Sequence, residues 1–211
     1  MRLSLDRLSR RAGLAAIPLV LFAIPWTPAR IAGVFLTAGV LPGLGLVTHP
    51  KMSADAALGI GAALSPVIFA TATALAMFAG AGLREAAWIA SAVSLVLFVI
   101  LAGRSPAFSR EGRRSLAGAS MVLIIAAAYA LSLPLADAWW RMREDSWFHA
   151  AVADKLVRDG LPLTDPYFAG LRLQYMYAYH ALVAACASLA GIDYFRAMIL
   201  VNAMAIASTV F

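Results

Sequence analysis

Apolar residues dominate the chain in long runs, broken by short polar stretches. The runs cover residues 12–26, 31–47, 56–83, 86–102, 116–135, 176–190 and 197–211. None alternates with the period of a half-buried strand, and most approach the roughly 20 residues a helix needs to cross a bilayer. The pattern predicts an all-α fold: a polytopic transmembrane helical bundle of about 6–7 spans, 5 of them before residue 136. Residues 136–175 are more polar and read as a loop outside the membrane. Within them Phe148, Val152 and Leu156 recur every four residues. That spacing gives an amphipathic helix over about 146–158, expected to lie in the membrane interface. Asp145 or Ser146 can cap its start, and Asp159-Gly160 can end it.

Breaks in the pattern refine this outline. The first two runs are short and are joined by Thr27-Pro28-Ala29-Arg30, so they form a hairpin of two spans or a re-entrant pair. Pro66 marks a kink. Gly43-Leu44-Gly45 and Gly59-Ile60-Gly61 read as packing or kink sites within spans. The last run stops at Phe211, short of a full span, so the chain reads as the N-terminal part of a longer one.

Composition agrees: 63% of residues are hydrophobic and 13% charged, too little charge to cover a soluble globule. The lone cysteine, Cys186, cannot form an intrachain bridge and reads as a small buried residue. The net charge of +6 invites a nucleic-acid reading, but the basic residues fall in short loops between apolar runs, where they encode topology. Counting the first two runs as a pair, the N-terminus, 49–55, 104–115 and 191–196 share one side and collect most arginines. The expected location is a bacterial-type inner membrane with that side cytoplasmic and residues 136–175 outside. His49, beside Pro50 in a short inner loop, is assigned no role.

Candidate chemistry concentrates outside. Asp137, Glu144, Asp145, Asp154, Asp159 and Asp165 are six of the 11 acids, and two of the three histidines, His149 and His180, lie nearby. Asp145 and His149 are four apart and can face one site. Glu144 or Asp145 can serve as a general base, and Asp145 can hold a divalent metal, the one cofactor the pattern admits. The alternative is a helix cap among interfacial arginines and tryptophans. His149 is a ligand, a proton carrier or a satisfied interfacial residue. Arg141 and Arg143 can bind lipid phosphate. Asp165 precedes a proline in a Pro/Gly-fixed loop, where it either bonds its own backbone or meets substrate beside Tyr167. Tyr175 belongs first to an aromatic belt, and His180, slightly deeper, is an ionisable residue at membrane depth. No Walker loop, GxGxxG, HExxH, CxxC or GxSxG is present.

Asp145-Ser-Trp-Phe-His149, Gly160-Leu-Pro, Asp165-Pro-Tyr-Phe-Ala-Gly170 and Tyr175-x-Tyr-x-Tyr-His180 together resemble the first large outer loop of polytopic GT-C glycosyltransferases. That superfamily includes protein mannosyltransferases, aminoarabinose transferases and oligosaccharyltransferase catalytic subunits. The resemblance covers about 40 residues, near 136–180. It implies a polyprenyl-phosphate-linked sugar donor used at the outer face. It places the family's acidic motif on Glu144-Asp145, with Asp145 as base or metal-coordinating acid. In many members that loop follows the first span, whereas here about four spans precede it. The competing expectations are a transporter or flippase, and a structural membrane subunit without chemistry.

Overall fold

The computed structural model describes residues 5–47, 52–101, 144–168, 170–173 and 177–209. Every regular element among them is a helix: α1 (Leu5–Ala23), α2 (Thr27–Gly39), α3 (Leu41–Leu46), α4 (Ala54–Phe78), α5 (Leu83–Leu101), α6 (Glu144–Asp159), α7 (Tyr177–Ala190) and α8 (Tyr194–Thr209). The expected span at 116–135 and the arginine-rich stretch at 104–115 lie outside the described residues, as does His49.

Among the described residues three stretches are long and apolar enough to cross a membrane: Thr27–Leu46, Ala56–Phe78 and Leu83–Leu101. Arg11–Ala23 is apolar but shorter. The sequence pattern counts six to seven spans, and part of the difference lies in the runs after residue 176. These form two helices of 14 and 16 residues, bent by 111° at the break between them. At about 1.5 Å per residue neither reaches across a core of about 30 Å alone. The pair counts at most as one broken span.

The run at 56–83 also ends earlier than its apolar pattern suggests. Phe78 is the last helical residue. Gly80 takes φ +94, and the amides of Gly80 and Ala81 turn back onto the carbonyls of Met77 and Ala76. This closure satisfies the helix end, and glycine adopts its left-handed conformation without steric cost. At the other end, Ser53 caps α4 by accepting from the Ala56 amide at 3.2 Å. The helix then continues through Pro66.

The second apolar run is broken at Val40 (φ −132, ψ −56). Pro42, just beyond, has no amide to continue the ladder. Ser65 on α4 takes up the polar groups this break releases. Its hydroxyl oxygen accepts from the Gly43 amide at 2.9 Å. Its one proton faces two carbonyls, Val40 and Gly61, each at 2.8 Å. The approach is close: a Cβ on Gly43 would lie 1.8 Å from the Gly61 carbonyl oxygen, and one on Gly45 would lie 3.0 Å from the Leu97 carbonyl oxygen. Gly43, Gly45 and Gly61 are therefore packing sites.

The helices sort their loops to two ends. α1 runs antiparallel to α5, with Arg11 reaching the Val99 carbonyl, Ala15 clustered with Leu95 and Phe98, and Phe22 edge-on to Trp88 at 5.2 Å. The N-terminal residues thus sit at the end where α5 finishes. The opposite end carries the α1–α2 turn, Arg30, the α4–α5 turn and the start of α5. There Leu83, Ala86, Ala87 and Ala90 share one apolar cluster with Ala150, Val152, Leu156 and most of α7.

The α7–α8 connection has a definite place in the bundle. Strict alternation puts residues 191–196 with the N-terminus. In the structure a Cβ on Gly191 would lie 3.5 Å from Arg30 Nη1, at the other end. From there α8 descends beside α2, where a Cβ on Gly39 would lie 2.9 Å from Met204 Cγ. α7 packs against α2, α4 and α5, and the chain turns by 111° into α8.

Candidate functional site

α6 forms because its local chemistry is consistent. Arg158 sits in the last turn, complementing the helix dipole. Two i,i+4 ion pairs, Lys155–Asp159 and Asp154–Arg158, each close at 2.6 Å along one side. The expected cap at Asp145 or Ser146 is displaced: the helix already includes Glu144, so Asp145 lies within the first turn, with its side chain exposed. The end at Asp159-Gly160 is as expected, with Gly160 at φ +72 and its amide on the Leu156 carbonyl. The apolar stripe is real, but its occupant is protein. Val152, Ala153 and Leu156 are fully buried in the cluster shared with α7 and α8.

The segment after α6 is a compact hairpin. The Leu173 amide donates to the Leu163 carbonyl at 3.0 Å, the Asp165 amide donates to the Leu171 carbonyl at 2.8 Å, and Thr164 pairs with Arg172. Buried Leu163 and Leu173 hold its base on the bundle. Asp165 Oδ1 accepts from the amides of Tyr167 (2.8 Å) and Phe168 (3.0 Å), so this carboxylate builds its own loop. Its tip presents Tyr167, Phe168 and Leu171, each about three-fifths exposed. Tyr167 stacks on Phe148 of α6 at 6.0 Å.

α7 brings the second histidine. Tyr177 fixes its start by donating from its hydroxyl to the Leu173 carbonyl. One turn on, His180 is wholly buried, and its Nε2 lies 2.9 Å from Nδ1 of half-buried His149. One ring donates an N–H and the other accepts, which satisfies a polar group that burial would otherwise penalise. Tyr179 stands edge-on to both rings, at 5.6 Å from His149 and 5.5 Å from His180. α8 closes the far side. The Tyr194 hydroxyl lies 3.4 Å from Asp154 Oδ1, and Phe195 meets Trp147 edge-on at 5.0 Å.

The structure therefore brings together His149, His180 and, through Phe148, Tyr167. Asp145 stands one turn before His149 on α6. Glu144 begins the helix. Arg141, Arg143 and Tyr175 lie outside the described residues. Among the described residues no group of three or more His, Cys, Asp or Glu side chains gathers to hold a metal ion. Sequence reasoning weighed His149 and His180 separately and missed their direct bond. The available signal was that both are histidines flanking one structured loop, each beside an aromatic residue. It also missed Tyr194 and Phe195, whose meeting with α6 depends on the α7–α8 bend.

On α6, Asp159 titrates away from its ordinary value. The hydrogen bond from Lys155 holds its carboxyl below the usual aspartate value, helped by the charges of Lys155 and Arg158. No family model, curated protein or solved structure matches the chain.

Proposed function

We propose that the chain carries the outer-face site of a GT-C-type membrane glycosyltransferase. In this reading it transfers a sugar from a polyprenyl-phosphate donor, with Asp145 as the base that takes the acceptor's proton or as a metal-holding acid. Arg141 and Arg143 hold the donor phosphate, and Tyr167, Tyr175 and Asp165 border the sugar. His149, one turn beyond Asp145 on α6, and His180, bonded to it, complete the set of ionisable groups in this reading. The observation that carries the reading is the segregation of ionisable groups. Residues 31–46, 56–78 and 86–101 contain no charged side chain, while acids and exposed aromatics gather on α6 and its hairpin, and the imidazoles of α6 and α7 meet there.

A transporter is the second reading, favoured by the break at Val40 within a span, since discontinuous helices commonly mark transport sites. Ser65 satisfies that break, and the apolar span interiors offer no ion-coupling residue. The test uses the full-length protein in proteoliposomes with a labelled polyprenyl-phosphate sugar. Asp145→Asn, at an exposed position, is expected to lower transfer by roughly 100-fold or more while leaving the fold intact. Undiminished transfer by this variant, or accumulation of sugar inside the vesicles without transfer, overturns the reading.

A further inference from the structure

We propose that the His149–His180 bond is a proton-counting joint that docks α6 on α7 and releases it when both rings are protonated. The joint links residues 31 apart in sequence, on two different helices, at 2.9 Å. The ion pairs of α6 run along its own surface between its own residues, so they do not tie it to the bundle. Among the described contacts, α6 is held by the apolar face of Val152, Ala153 and Leu156, by Trp147 against Phe195, by the Tyr194 hydroxyl on Asp154 at 3.4 Å, by Phe148 stacked on Tyr167, and by this imidazole pair.

An N–H···N bond between two imidazoles depends on their proton count. With both neutral, one ring supplies the hydrogen and the other a lone pair. With one extra proton the bond becomes charge-assisted and tightens. The charge then belongs on half-buried His149, because His180 is wholly buried and a cation there is the costlier arrangement. His149 Nδ1–H donates and His180 Nε2 accepts. With two extra protons no lone pair faces the contact, and two cations meet at the same short distance.

Among the described residues, the surrounding elements carry the following other titratable or charged groups. α7 carries Tyr177 and Tyr179, α8 carries Tyr194 and Arg196, the start of α5 carries Arg84 and Glu85, and the hairpin carries Asp165, Tyr167 and Arg172. On α6 itself are Glu144, Asp145, Asp154, Lys155, Arg158 and Asp159. Asp154, Lys155, Arg158 and Asp159 are engaged with one another, Asp165 with its own loop amides, and the Tyr179 ring lies edge-on to both imidazoles. Release would part α6 from α7 at His149. The joint stands on geometry alone and does not depend on the transferase reading.

Hydrogen exchange of the intact chain in lipid nanodiscs tests it, read by mass spectrometry and corrected for the chemical rate. Between about pH 7.5 and about pH 6.5 the α6 amides should stay protected, and by about pH 4.5 they should exchange at least about tenfold faster, while α4 stays protected. His180→Gln keeps a donor and an acceptor but cannot titrate, so it should hold α6 across the whole range. His149→Gln gives the same result from the less buried side if the first variant fails to fold. A flat wild-type profile, a step that survives both substitutions, or simultaneous loss of protection in α4 overturns the proposal.

Discussion

Two atoms of clearance decide whether α3 and α4 can cross as they do. A Cβ on Gly43 would sit 1.8 Å from the Gly61 carbonyl oxygen, and the obstacle is backbone that cannot rotate away. Gly43→Ala should therefore cost about 3 kcal/mol or more, at or above the top of the usual overpacking range. Ser65→Ala removes volume instead and strands the Gly43 amide in an apolar interior, while the Val40 carbonyl keeps the Leu44 amide. Its expected cost is about 1–3 kcal/mol, that of leaving a buried polar group unpaired. Gly13→Ala, where nothing lies within 4 Å, should leave stability unchanged or slightly raised. Thermal unfolding in detergent ranks the three, and a Gly43→Ala protein as stable as Gly13→Ala would mean the helices do not cross at this point. At the same scale, the single cysteine illustrates how composition is read correctly. Cys186 is fully buried among the alanines of α7, with no bridging partner in the chain.

At the level of elements, what was legible depended on whether the signal was local. The end of α6 at Gly160, its four-residue apolar stripe and the glycine packing positions follow from spacing and backbone chemistry, and all appear in the structure. The end of α4 was misplaced because Ala79-Gly80-Ala81-Gly82 is as apolar as the helix before it. The stripe's partner was also hidden, since Val152 and Leu156 look the same whether they face lipid or protein. Of the candidate site, the participants could be chosen from residue type, but the bond between His149 and His180 depends on tertiary packing.

The charges on α6 make a prediction at this scale. Asp159 titrates below its ordinary value because the folded helix presents Lys155 to it. A lowered folded value means its stabilisation is complete above the unfolded value of about 3.9 and disappears as pH falls through the lowered one. α6 protection should therefore fall again below about pH 4, separately from the histidine step at higher pH. Asp159→Asn should abolish that acid-side loss and leave the higher step in place. If Asp159→Asn instead removes the higher step, the joint assigned to the two histidines belongs to the carboxylate.

For the molecule as a whole, the question is which loops share a face of the membrane. Parity counting assumes that every apolar run crosses, and α7 breaks that assumption. It is apolar on nearly every side because it lies between α6 and the helices α2, α4 and α5. Burial in protein and burial in lipid select the same residues, so composition could not separate them. The separating observations are long-range ones, Gly191 beside Arg30 and Gly39 beside Met204. They place the α7–α8 bend at the same end as the α4–α5 turn, and the loop before α4 at the other. Cysteines introduced at Ala79, Ile192 and Met52 turn this into a measurement, because native Cys186 is buried and should stay silent toward a membrane-impermeant maleimide. The Ala79→Cys and Ile192→Cys proteins should label from one side of sealed vesicles, and Met52→Cys from the other. Labelling of Ile192→Cys together with Met52→Cys would restore strict alternation. It would then make residues 177–190 a crossing helix and detach α8 from its place beside α2.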